Sequence, residues 1–254
     1  MKRRIFDSHL HIIDPAFPLV PNKGYLPDLF TVNDYLEKVG LLGITAGAVV
    51  SGSFQAFDQG YLVSALDRLG PTFVGVTQLP ASATDEEIIR LNEKGVRAVR
   101  FNLKRGGSES IDHLVSFAHR IHDLAGWHVE LYVDSQELND IFNSLLRLPA
   151  VSIDHLGLSK EGFPTLLSLV EKGVRVKATG FGRVNFPVAV ALRAVHTINP
   201  HAIMFGTDLP STRAPRPFEP NDIELLIETL GEKAAEMVLW ENAASFYRIS
   251  KNVV

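Results

Sequence analysis

Phe6-Asp7-Ser8-His9-Leu10-His11 is a short strand-like run near the N-terminus that carries two histidines one residue apart at its end. Side chains on a strand alternate between its faces, so His9 and His11 point the same way, toward whatever lies at the strand's carboxyl end. Two imidazoles aimed at one point serve a metal ion, a reacting carbonyl or a bound water. The same H-x-H equally describes a pair of core or surface histidines. The residues beyond it must decide.

Behind His11 lies a loop from Asp14 to Leu29 with Pro15, Pro18, Pro21, Pro27 and Gly24 and no periodicity, which excludes a helix there. A long ordered loop directly after a strand end is expected to form part of a binding site. From Thr31 onward the chain alternates. Helical patterns are predicted over Thr31–Leu42, Tyr61–Leu69, Asp85–Lys94, Ile111–Leu124, Leu138–Leu148, Phe163–Lys172, Pro187–Ile198 and Ile223–Leu230, then over Ala234–Trp240 and Ala243–Tyr247. Between them fall short Val- and Ile-rich runs at Thr45–Val50, Thr72–Thr77, Val96–Phe101, His128–Tyr132, Val151–Asp154, Val174–Ala178 and Ile203–Gly206. With the opening run these make eight strands, most of them not alternating in polarity, as expected when both faces are covered. Eight βα units predict an α/β chain folded as one (β/α)8 TIM barrel over residues 1–254. An open doubly wound sheet lacks support: Gly180-Phe181-Gly182-Arg183-Val184-Asn185 begins like a dinucleotide fingerprint but misses its last glycine.

Composition narrows the class. Hydrophobic residues make up 46% and charged residues 21% of 254, enough for a large core and against disorder. A net charge of -4 argues against nucleic-acid binding driven by overall charge. The absence of cysteine removes disulfides and thiolate chemistry. Met1-Lys2-Arg3-Arg4 runs straight into the first strand with no apolar h-region, and no stretch is long and apolar enough for a transmembrane helix. A cytoplasmic protein without membrane partners is expected, and nothing in the sequence sets an oligomeric state.

In a (β/α)8 barrel the active site lies at the carboxyl ends of the strands. Those ends carry, in order, His9 and His11; Ser51 and Ser53; Thr77 and Gln78; Arg100, Asn102, Lys104 and Arg105; Tyr132 and Asp134; Asp154 and His155; Lys177, Thr179 and Arg183; Thr207 and Asp208. Three histidines, an aspartate and several arginines thus converge on one mouth. The remaining six histidines, His113, His119, His122, His128, His196 and His201, fall in helices or at strand starts and read as structural or solvated.

His9-Leu10-His11, Ile153-Asp154-His155-Leu156-Gly157 and Phe205-Gly206-Thr207-Asp208-Leu209-Pro210 resemble the amidohydrolase superfamily, and within it the branch containing 2-pyrone-4,6-dicarboxylate lactonase. The resemblance runs end to end and includes Gly95–Asn102 and Gly126–Val129. It implies a hydrolase acting on a lactone or ester of a small carboxylated compound. Asp208 matches the aspartate that takes a proton from the attacking water, and His9, His11 and His155 match histidines that bind metal or polarise the scissile carbonyl. Arg100, Arg105 and Arg183 match arginines that hold substrate carboxylates; Tyr25, Ser53 and Tyr132 match hydrogen-bonding positions of that pocket. Arg213 and Arg216 lie in a Pro-rich loop, Pro210–Pro220, where the chain departs from the branch pattern, and they read as anion contacts or as solvated loop charges.

Metal-binding relatives add a histidine from the fifth strand and often a Lys or Glu from the fourth. Here those places hold Tyr132 and Arg100, a permanent cation that repels a divalent ion. A metal-independent site, with no cofactor required, is therefore expected; a weakly bound zinc would take His9, His11, His155 and Asp208. In that expectation Asp208 acts as general base and the histidines donate to the carbonyl oxygen. The alternatives are a zinc-dependent amidohydrolase or decarboxylase of the same superfamily, and a non-catalytic barrel that keeps the anion pocket. A serine-hydrolase reading is disfavoured, since no G-x-S-x-G elbow occurs.

Overall fold

Eight parallel strands pair in chain order in the computed structural model, which describes residues 3–249. They are β1 (Ile5–Leu10), β2 (Ile44–Val50), β3 (Phe73–Thr77), β4 (Val96–Asn102), β5 (His128–Tyr132), β6 (Val151–Ile153), β7 (Arg175–Ala178) and β8 (Ile203–Phe205). The helices α1 (Val32–Val39), α2 (Gly60–Leu69), α3 (Asp85–Glu93), α4 (Leu114–Ala125), α5 (Leu138–Leu145), α6 (Phe163–Glu171), α7 (Val188–Ile198) and α8 (Asn221–Leu230) follow them one for one. This is the expected (β/α)8 barrel. The first two and last five residues of the expected 1–254 domain lie outside the described residues. Among the described residues no helix is long and apolar enough to cross a membrane.

Local chemistry sets the helix ends. Thr31 and Asp34 form a capping box, the Asp34 carboxylate accepting from the Thr31 amide at 2.7 Å, and α1 stops at Gly40 rather than running on to Leu42. Thr84 caps α3 ahead of Asp85, Glu86 and Glu87, which complement the helix dipole. The predicted helix Ala234–Trp240 is instead a short α9 (Glu232–Glu236) that widens into a π-type turn over Met237–Glu241 before α10 (Asn242–Phe246). Beyond that turn the Asn242 amide donates to the carbonyls of Pro200 and Ile203, both at 2.8 Å, and ties the C-terminal helices to β8.

The core has two shells. Leu62, Ile88, Phe117, Leu166 and Leu192 fill the space between sheet and helices. Inside the barrel, small residues (Ala46, Ala48, Ala98) share the core with Val50, Val76 and Phe6, whose ring stacks on Tyr247 at 5.3 Å. The C-terminal segment thereby plugs one end of the barrel and leaves the other to polar groups.

β1 and β8 close the barrel without a ladder of strand pairs. The Asp208 amide donates to the His9 carbonyl at 2.7 Å, and the His11 amide to the Leu209 carbonyl at 2.8 Å. Buried Asp7 bridges the same seam, accepting from the Thr207 amide at 2.8 Å and hydroxyl at 2.6 Å and from the Tyr35 hydroxyl at 3.1 Å. Burial pushes the Asp7 carboxyl up to about 6 even against these hydrogen bonds. A β-carbon at Gly206 would lie 2.7 Å from the His9 amide nitrogen, so only glycine lets β8 approach this closely.

Candidate active site

The closed seam delivers His9, His11 and Asp208 to one point. The next-but-one strand, β6, adds His155 in the turn that follows it. The Nε2 atoms of His9, His11 and His155 lie 3.8, 3.9 and 3.9 Å from Asp208 Oδ1, and all four side chains are buried. Asp208 and His155 both hold left-handed backbone conformations, φ 61° and 52°, which non-glycine residues adopt at a cost of order 1–3 kcal/mol and which cluster where side chains must be aimed. Arg183, in the turn after β7, clamps the other carboxylate oxygen: its Nε donates to Asp208 Oδ2 at 2.7 Å and its Nη2 to the Thr212 carbonyl at 2.8 Å.

Beneath this point sits a buried charge cluster. Lys177 of β7 bonds Glu130 of β5, both side chains wholly buried, and lies 3.8 Å from Asp154 Oδ1. Glu130 also accepts from the Tyr247 hydroxyl and faces His128 at 3.2 Å. Burial opposes the charge on Glu130, yet Lys177 and His128 bring its pKa down to about 2. Asp154 is likewise held well below the usual carboxylate range by His9, Arg100 and Lys177, against its burial. Arg100 spends its fork here: Nη2 and Nε donate to Asp154 Oδ2 at 2.8 and 3.3 Å, and Nη1 to the Ser51 carbonyl at 2.8 Å.

Burial lowers the pKa of His9, and burial plus neighbouring positive charge holds His11 and His155 well below 6.5, so the three imidazoles are neutral at neutral pH. Each then carries one proton, placed by the partner of its other nitrogen. His11 Nδ1 lies 2.7 Å from the Val50 carbonyl oxygen, which can only accept, so His11 presents a bare lone pair at Nε2. His9 Nδ1 lies 3.4 Å from both the Lys177 ammonium, which can only donate, and Asp154 Oδ1, which can only accept, so either tautomer finds a partner. His155 Nδ1 pairs with the Thr179 hydroxyl at 2.7 Å, which accommodates either tautomer.

The same atoms fit a divalent ion. Donor atoms of His9, His11 and Asp208 all lie within 4.8 Å of one another, as do those of His9, Asp154 and His155. Buried His9 Nε2 and Asp208 Oδ1 have no hydrogen-bond partner among the described residues. Ligation by His9 takes the tautomer with its proton on Nδ1, facing Asp154 Oδ1 at 3.4 Å. Arg100, which the sequence alone presents as a repelling cation, is neutralised by Asp154.

A pocket of about 380 Å³ opens above the histidines. Every residue singled out from the sequence for the site borders it except the deeper His9: His11, His155, Asp208, Arg100, Arg105, Arg183, Tyr25, Ser53 and Tyr132. Arg213 also lines it, whereas Arg216 pairs with Asp222 at 2.7 Å instead. Sequence reasoning missed Glu130 and Asp7. The signal was available, since each is an acid in the middle of a strand run, Asp7 behind Ile5 and Phe6 and Glu130 between Val129 and Leu131.

The amidohydrolase family model matches residues 6–249. Over 162 residues, 59% of the chain, the sequence is 31% identical to a 2-pyrone-4,6-dicarboxylate hydrolase of Comamonas testosteroni, and that match spans about half, 51%, of the relative's own length. It is 26% identical to a D-galactarolactone isomerase of Agrobacterium fabrum, with 98% of this chain and 92% of that one covered. Among solved structures, an Agrobacterium tumefaciens protein crystallised in its apo form superposes with a TM-score of 0.87 at 24% identity, covering 98% of this chain and 97% of that one. That likeness is one of fold.

Proposed function

The chain belongs to the amidohydrolase family, and from that premise we propose that it hydrolyses a lactone or related ester bond of a small carboxylated compound. The observation that carries this reading is the placement of three neutral imidazole nitrogens around one oxygen of Asp208, at the floor of a pocket walled by arginines.

One water fits at that point. With the His9 proton on Nε2, the water accepts from that N–H and donates to Asp208 Oδ1 and to the lone pair of His11. Asp208 then takes its proton as the oxygen attacks the carbonyl carbon, with Arg183 fixing the carboxylate's orientation. His155, with its proton on Nε2, donates to the carbonyl oxygen as negative charge develops there. Of the histidine roles expected from the sequence, this assigns carbonyl polarisation to His155 and water positioning to His9 and His11. A lactone suits such a site because its alkoxide or enolate leaves without the strong protonation an amide requires. The Comamonas testosteroni hydrolase and the Agrobacterium fabrum isomerase both carry lactone substrates in their names, which supports this substrate class.

A second reading, a metal-dependent hydrolase, is favoured by the His11 lone pair and the unpartnered Asp208 Oδ1. His9, His11, His155 and Asp208 would hold the ion. When bound it would polarise the carbonyl and lower the pKa of a water. The discriminating experiment is a screen of lactones and carboxylated esters for proton release, with and without EDTA, with product analysis to separate hydrolysis from isomerisation. Turnover unaffected by EDTA supports the first reading; stoichiometric zinc whose removal abolishes turnover replaces it with the second. No turnover of any lactone or ester sinks both.

A further inference from the structure

The loop between β1 and α1 reaches the pocket mouth on few attachments. Its base is firm: the Ile13 amide donates to the Phe30 carbonyl at 2.7 Å, and the Phe30 amide to the Ile13 carbonyl at 2.9 Å. The Val20 amide adds a bond to the Phe54 carbonyl at 2.8 Å. Between Val20 and Phe30, among the described residues, Asn22 alone hydrogen-bonds to other segments. Val20, Leu26 and Leu29 are half exposed and contribute little apolar burial. The tip itself is compact. Asn22 and Tyr25 bond each other through both backbones, at 2.9 and 3.1 Å, around Lys23 and Gly24 at φ 51° and 76°, so the four residues form one tight turn. Tyr25 is the member of that turn that lines the pocket.

Arg213 holds this tip from the loop after β8. Its Nη1 donates to the Asn22 side-chain oxygen at 3.1 Å and its Nη2 to the Asn22 carbonyl at 2.6 Å, while the guanidinium lies 4.0 Å over the Tyr25 ring. The mounting is rigid. The carbonyl of Thr212, next in the chain, accepts from Arg183 Nη2 at 2.8 Å, and the same Arg183 guanidinium grips Asp208. One side of the contact is thus fixed to the floor of the site and the other to the least attached stretch of the mouth.

We propose that Arg213 is a latch that holds the Asn22–Tyr25 tip at the pocket mouth, and that the tip opens about the Ile13–Phe30 base to admit and release ligand. Arg213 thereby acts as a positioning residue that seats Tyr25 in the pocket. It is then neither of the two things its sequence context suggests, since its fork serves a neutral carbonyl and a neutral amide rather than an anion or bulk water. The role of the latch in turnover rests on the hydrolase reading above; the latch itself does not.

Trypsin reads the latch directly, because Lys23 is exposed and cleavage of the Lys23–Gly24 bond requires the tip to leave its turn. Folded protein is incubated with trypsin and each cut is located by fragment mass. Arg213→Gln should raise the rate at Lys23–Gly24 about tenfold, and Arg213→Lys, which keeps the charge but loses the fork and the flat face, should raise it too. Cleavage at Lys172–Gly173, exposed behind α6, should not change in either variant, and Arg216→Gln, whose side chain pairs with Asp222, should leave both rates as they are. An unchanged rate at Lys23–Gly24 in the Arg213 variants overturns the proposal, as does an equal rise at both bonds. If neither Arg213 variant holds its fold in a thermal melt, hydrogen exchange on the unaltered protein decides: the latch requires the Asn22 and Tyr25 amides to exchange faster than those of Ile13 and Phe30, and equal rates reject it. With a lactone that is turned over, Arg213→Gln should raise KM about tenfold and change kcat by less than about threefold. A fall in kcat at unchanged KM overturns the positioning role. A protein whose tip is freed by Arg213→Gln but which turns over no lactone keeps the latch and loses the hydrolase reading.

Discussion

His11 Nδ1 lies 2.7 Å from the carbonyl oxygen of Val50, and this one contact fixes which way the histidine can act. The carbonyl cannot donate, so the neutral ring keeps its proton on Nδ1 and offers Nε2 only as an acceptor. In the water-based mechanism that lone pair accepts a hydrogen bond from the nucleophilic water while Asp208 takes the proton, and no ion is needed. EDTA dialysis followed by steady-state assay is therefore expected to leave hydrolysis within about twofold of untreated protein, since Asp208 remains the base.

Removing the base is a sharper intervention. Asp208→Asn keeps the size of the side chain and its contact with Arg183 while removing its capacity to take a proton. We expect kcat to fall by about 10²–10⁴ with little change in the thermal melt. Near wild-type turnover in Asp208→Asn would refute the assignment.

Lys177 and Glu130 predict a stability effect. Taking away one member of a buried pair leaves the other charged with no partner, and Lys177→Met should cost about 3–5 kcal/mol in urea unfolding. The double variant Lys177→Met/Glu130→Gln should recover part of that loss, because no unpaired charge remains. Equal losses in single and double variants would contradict the pairing.

Asp7 sets a pH dependence of its own. Burial raises its folded-state value to about 6 from 3.8, so the folded protein holds this proton more tightly than the unfolded chain does. Its contribution to stability is complete below the unfolded value and is lost as pH rises through about 6. Asp7→Asn carries no such loss. Relative to unaltered protein it should gain about 2 kcal/mol of stability between roughly pH 4.5 and 7.5, read from paired urea titrations. A stability difference that stays flat across that range would show that Asp7 does not titrate in it.

Much of this molecule is legible in its residues. Short runs such as Thr72–Thr77 and Ile203–Gly206 carry apolar side chains on both faces, as a sheet covered on both sides accommodates, and eight runs alternating with amphipathic helices leave few architectures. Strand polarity then places His155 and Asp208 on the same end as His9 and His11, because a parallel barrel presents all its carboxyl ends together. What periodicity cannot convey is the pairing of charges across the barrel. Arg100 and Asp154 stand 54 residues apart and Arg183 and Asp208 stand 25 apart, and no local pattern records that each pair meets. Nor does a sequence reveal an acid's partner: Asp7 and Glu130 stand inside strand runs, and their meaning appears only when Thr207 and Lys177 arrive from elsewhere in the chain.

The sequence by itself therefore determined the barrel and the end of it that bears the polar groups, since both follow from local alternation and strand direction. Only the tertiary structure decided what the histidines offer. The Val50 carbonyl sets the proton of His11, and Lys177 meets Nδ1 of His9 together with Asp154, contacts of 39 and 168 residues' separation for Val50 and Lys177 that exist only once the barrel has closed.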